Sequence, residues 1–76
     1  MQYIFRKEKY MKFYKKSFEE WDEFIQKFLT ECDGKTVDTS YSEYRPGWGF
    51  EVYGINDANW CIPCERLEVY CDKVFA

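Results

Sequence analysis

Between Ser17 and Gly34 the chain carries a pattern that narrows what it can become. Phe18, Trp21, Phe24, Ile25, Phe28, Leu29 and Cys32 recur at three- and four-residue spacing, which is one face of a helix. Ser17-Phe18-Glu19-Glu20 spells a capping box. The serine hydroxyl accepts an amide of the first turn, and Glu20 reaches back to the Ser17 amide. Glu19, Glu20, Asp22 and Glu23 then put negative charge where a helix dipole favours it. Asp33-Gly34 ends the pattern, Gly34 being free to take the left-handed conformation. The spacing predicts a helix over residues 18–32, and a helix with one apolar face needs a second layer to cover it.

That layer is written downstream. Lys35–Tyr44 is rich in Thr, Ser, Val and Tyr, with Val37, Thr39 and Tyr41 alternating against Thr36, Asp38 and Ser40, the period of a half-buried strand. Arg45-Pro46-Gly47-Trp48-Gly49 is turn chemistry, and Phe50–Ile55 returns as the second strand of a hairpin. Near the C-terminus, Leu67, Val69 and Cys71 alternate with Glu68, Tyr70 and Asp72, which favours a strand over the helical face that Cys64, Leu67, Cys71 and Val74 also fit. At the N-terminus, Tyr3-Ile4-Phe5 and Met11–Tyr14 read as two short strands around a charged turn. The rival is one long helix through Tyr10, Tyr14, Phe18 and Trp21, and Ser17 argues against it, because a cap residue is out of place mid-helix. The expected fold is α+β: one amphipathic helix on a three- to five-stranded, mostly antiparallel sheet, in one domain over residues 1–76.

A chain of 76 residues buries little more than ~60 % of its unfolded surface. Here the apolar material is mostly rings. Seven Phe, seven Tyr and three Trp outnumber Leu, Ile and Val combined, so several rings are expected at the surface. The net charge of −3 hides a split. Residues 1–16 carry Arg6, Lys7, Lys9, Lys12, Lys15 and Lys16 against Glu8 alone, while the rest of the chain is strongly acidic. No signal-peptide pattern and no run long enough to span a membrane is present. A cytoplasmic protein with reduced cysteines is the expectation.

Trp60-Cys61-Ile62-Pro63-Cys64 resembles, over these five residues, the redox motif of the thioredoxin family. The resemblance implies an accessible thiol of lowered pKa at a helix start. In that family the motif follows an early strand, opens a long helix and is completed by a later strand preceded by a cis-proline. Here it follows a hairpin, and no proline comes after Pro63. Cys32, Cys61, Cys64 and Cys71 are also enough ligands for a tetrahedral zinc site. Only one Cys-x-x-Cys pair exists, however, and Cys32 and Cys71 fall on buried faces where cysteine packs as a small hydrophobe. No cofactor is therefore expected, zinc being the alternative.

Two surfaces suggest binding. Lys9, Tyr10, Lys12, Tyr14 and Lys16 interleave cations and rings, as phosphate contact with base stacking requires. A strand would place Tyr10, Lys12, Tyr14 and Lys16 on one face, giving a nucleotide or nucleic-acid site as the alternative function. The acidic remainder opposes it. The hairpin tip carries Tyr44, Arg45 and Trp48, residue types enriched at binding hot spots, and Glu19, Asp22 and Glu23 offer an acidic helix face. Histidine is absent, so acid–base chemistry near neutrality would need a strongly shifted carboxylate or thiol. The leading expectation is a non-enzymatic module that docks on a larger protein. Inhibitors and adaptors among phage and mobile-element accessory proteins are often of this short, acidic, aromatic type, an analogy of type alone.

Overall fold

The computed structural model describes residues 1–75. The elements run β1 (Gln2–Phe5), α1 (Lys7–Tyr14), a 3-10 turn (Phe18–Glu20), α2 (Glu23–Cys32), β2 (Val37–Arg45), β3 (Phe50–Ile55), β4 (Cys61–Pro63), a second 3-10 turn (Cys64–Arg66), α3 (Leu67–Tyr70) and β5 (Cys71–Val74). All strand pairs are antiparallel: β1 with β5, and β2–β3–β4 in that order. A bridge between Ile4 and Thr36 joins the two ladders. The α+β class and the antiparallel pairing are as expected, but three α-helices form among the described residues rather than one.

Met11–Tyr14 is helical, which corrects the strand expected there. Lys7, Glu8, Lys9, Met11 and Lys12 are mostly strong helix formers, and the helix brings Tyr10 and Tyr14 together, ring centroids 4.9 Å apart. Its first amide, Lys7 N–H, donates to Asp33 Oδ1 at 3.0 Å. Lys15, with φ 57°, closes it in the left-handed conformation, and Lys16 N–H returns to Met11 O at 3.1 Å.

The expected 18–32 helix is divided. Ser17 N–H does donate to Glu20 Oε2 at 2.7 Å, but this box caps only a 3-10 turn. Trp21 is extended (φ −88°, ψ 153°), and a second cap restarts the helix, Ile25 N–H donating to Asp22 Oδ1 at 2.9 Å. The Gln26 amide donates to the carbonyls of Phe18 (3.1 Å) and Trp21 (3.0 Å), so the break leaves these groups satisfied. The break also turns the Trp21 ring onto Tyr10 (5.3 Å) and Tyr14 (5.6 Å).

The Val37–Ile55 hairpin is as expected, with Arg45 opposite Phe50. Its turn is closed by Gly49 at φ 81°, with Trp48 N–H and Gly49 N–H both donating to Arg45 O. The alternation of β2 stops at Asp38. Thr39–Ser42 stand opposite the single residue Tyr53, a wide bulge in which Asp38 Oδ1 accepts the Ser40 amide at 3.0 Å. Leu67–Tyr70 forms a helical turn, correcting the strand expected there, and only Cys71–Val74 is extended.

The core gathers Phe5, Phe28, Leu29, Cys32, Val37, Ile55, Ile62, Tyr70 and Cys71. Tyr10 is the hub of its aromatic part, with Tyr70 at 4.7 Å, Trp21 at 5.3 Å, Phe28 at 5.4 Å and Phe5 at 6.1 Å.

Candidate functional site: an open aromatic groove

An open groove of about 930 Å³ lies between α2 and the hairpin. Phe24, Ile25 and Phe28 reach it from α2, and Val52, Gly54, Cys61, Ile62 and Pro63 from β3 and β4. Trp60 lies beside Phe24 (5.0 Å) and Phe28 (5.3 Å), its indole N–H donating to Glu31 Oε1 at 3.0 Å. The hairpin contributes Asp38, Tyr41, Glu43, Arg45 and Trp48, and Tyr10, Tyr14 and Tyr70 line it as well.

Three of these rings are largely uncovered: Phe24 at 65 %, Tyr41 at 67 % and Trp48 at 56 % exposure. Each exposure has a local cause. Phe24 sits at the edge of an apolar arc wider than one helix–sheet seam covers. Tyr41 rides on the bulge. Trp48 stands in the turn, resting on Phe50 (5.7 Å), with the Arg45 guanidinium over its ring at 5.3 Å. Arg45 Nε is 3.4 Å from Glu43 Oε2, an ion pair, yet it makes no hydrogen bond among the described residues.

The expected binding residues are partly assembled. Arg45 and Trp48 meet at the groove, whereas Tyr44, exposed and opposite Glu51 in register, does not line it. Glu19, Asp22 and Glu23 do not form one helix face, because the break separates Glu19 from the other two and the Asp22 carboxylate is the cap of α2. Phe24, Tyr41, Val52 and Trp60 were not anticipated. The over-wide apolar arc was the available sign for Phe24. Nothing in the sequence marks the bulge that lifts Tyr41.

The phosphate platform is not formed as a strand face. Lys9 donates to the carbonyls of Cys71 and Glu68 and lies 3.8 Å from Asp72, while Arg6 pairs with Asp72 at 2.9 Å. Part of the basic N-terminus is thus bound to the acidic body. Tyr10 is in the aromatic cluster, the Tyr14 hydroxyl pairs with that of Tyr70, and the Lys16 ammonium stands over Trp21 at 4.6 Å. Lys12 is exposed.

The four cysteines are unpaired and lie in separate surroundings. Cys32 and Cys71 are buried in the core, and burial pushes each thiol up to about 12. Cys61 lies near Arg45 and Glu43, and Cys64 lies near Tyr53 and Glu51. Burial raises both of these thiols as well, away from the thiolate that redox chemistry uses. Cys64 opens a 3-10 turn rather than a long helix. Among the described residues no three His, Cys, Asp or Glu side chains are grouped to hold a metal, and no helix is long and apolar enough to cross a membrane.

Comparison with protein-family models, with curated proteins and with solved structures found no match.

Proposed function

We propose that this chain is a non-enzymatic protein-binding module, an inhibitor or adaptor that takes a segment of a larger protein into the groove between α2 and the hairpin. The observation that carries this reading is the exposure of Phe24, Tyr41 and Trp48 around one apolar recess. Scattered exposed rings need no explanation, but rings gathered about a concave surface mark an interaction site. Trp is a frequent hot-spot residue, and truncating a central one typically removes ~2 kcal/mol or more of binding free energy. The raised thiols of Cys61 and Cys64 and the absence of histidine favour binding over turnover. Occupying the partner's segment would block or bridge whatever else that segment meets.

The test is capture from host lysate with immobilised wild-type protein, followed by identification of the captured chain and titration of it in purified form. Trp48→Ala and Phe24→Ala, each checked for wild-type circular dichroism, should each weaken the purified complex about thirtyfold, as ~2 kcal/mol implies. A complex that both variants form with wild-type affinity ends the groove proposal.

A further inference from the structure

Resting on that reading, we infer that the segment the groove receives is cationic as well as apolar: a lysine or arginine set among exposed rings and acids, next to an apolar side chain over the partly exposed Ile25 and Pro63. Two observations support this independently. The first is the chemistry of the rings. Aromatic faces attract cations, and Trp48 already carries a guanidinium from its own chain, Arg45 at 5.3 Å. Tyr41 and Phe24 expose comparable surface with no cation over their rings among the described residues.

The second is charge. Arg45 is the one cation lining the groove among the described residues, and Glu43 pairs with it at 3.4 Å. Asp38 is left uncompensated. Hydrogen bonds from the Ser40 side chain and amide hold its carboxyl below the usual range, so it is ionised at neutral pH. Asp22 and Glu23 immediately precede Phe24. A segment bearing carboxylates would meet repulsion here, whereas one bearing lysine or arginine meets attraction. The long stems of those two side chains also cover apolar surface while their heads stay polar, which suits a recess whose partly exposed Ile25 and Pro63 are apolar and whose Asp38 is acidic.

The experiment uses three fluorescein-labelled peptides that share a pair of leucines and differ only in the flanking positions, which are all lysine, all serine or all glutamate. They are titrated against the full chain at low and high salt, with amide and indole NMR shifts mapping the site. The lysine peptide should bind about tenfold or more tighter than the glutamate peptide at low salt, lose affinity as salt rises, and shift Val52, Gly54 and the Trp60 indole. Asp38→Asn should weaken it about threefold, the scale of one exposed charge pair. Equal binding of all three peptides at the groove overturns the cationic assignment while leaving the groove as a site. Binding of none of them, or shifts confined to other surfaces, overturns the assignment as well. The N-terminal segment Lys12-Phe13-Tyr14-Lys15-Lys16 has the same chemistry and an exposed Phe13. Sedimentation that detects self-association abolished by Trp48→Ala would therefore give the groove to a second copy of the chain and overturn the proposal.

Discussion

The hydroxyl pair of Tyr14 and Tyr70 should respond unequally to removal of its two members. Tyr70 is 3 % exposed and Tyr14 is 40 % exposed, and they are bonded to each other. Tyr14→Phe leaves the Tyr70 hydroxyl buried without its partner, a loss of ~1–3 kcal/mol. Tyr70→Phe removes the buried hydroxyl itself and leaves the Tyr14 hydroxyl beside solvent, so the net loss is ~0.5–1 kcal/mol, the worth of an ordinary hydrogen bond. In a domain of this size ~1 kcal/mol corresponds to roughly 4–8 °C in Tm. Thermal melts followed by circular dichroism at pH 7 should therefore place Tyr14→Phe below Tyr70→Phe by several degrees, with the double variant close to Tyr70→Phe. A double-mutant cycle isolates the coupling. A Tyr70→Phe protein that melts lower than Tyr14→Phe would refute the reasoning, because it would mean that water already reaches the Tyr70 hydroxyl.

Alkaline pH gives a second test. The thiols of Cys32 and Cys71 are pushed up to about 12 by burial from an ordinary 9.0, and Tyr10 to about 12 from 10.0. The folded chain keeps protons that the unfolded chain releases, so this stability is intact below pH 9 and is lost as pH rises toward 12. Above its own ordinary value each group removes ~1.4 kcal/mol per pH unit, so urea denaturation at pH 10.5 should show ~5 kcal/mol less stability than at pH 8; a flat profile would contradict the burial of these groups. Asp22→Ala removes the α2 cap and should destabilise by ~0.5–2 kcal/mol in the same assay, whereas Glu19→Ala should stay within ~0.5 kcal/mol; equal effects would show that the Asp22 carboxylate does not cap. Gly34→Ala forces a Cβ into φ 83° and should lower stability by ~1–2 kcal/mol despite open space around it, and an unchanged urea midpoint would show that the turn relaxes.

What the chain disclosed of its fold follows from how local each signal is. The α2 face, its Gly34 exit and the Pro-Gly hairpin rest on contiguous spacing and turn residues, and they appear where the sequence places them. The errors lie where two local signals compete. Ser17 and Asp22 are both good caps five residues apart, and the apolar spacing runs through both. The outcome depends on Gln26 reaching the carbonyls of Phe18 and Trp21, a side-chain contact that periodicity does not contain. Lys7–Tyr14 and Leu67–Tyr70 each fit a strand and a helix. The choice is made by distant partners, since Tyr10 and Tyr70 stack on each other at 4.7 Å only when both segments turn inward.

The groove was less legible than the fold for the same reason, taken one step further. Arg45 and Trp48 were visible because composition alone marks them, and they do meet. The recess they border is produced by two irregularities, the bulge at Thr39–Ser42 and the exposed edge of the α2 arc at Phe24. The first breaks the period and the second is an excess of apolar positions within it, so a reading based on periodicity assigns Phe24 and Tyr41 to the core. Tyr41 follows Val37 at even spacing and reads as a buried strand position, yet three extra residues on β2 against β3 dissolve that parity. Side chains that regular structure would have buried are thereby returned to the surface beside Val52, which remains buried. Closing the bulge with a deletion that restores alternation should therefore turn Tyr41 inward and reduce the groove. That change separates the architecture of the site from its residue types, because every aromatic residue is kept.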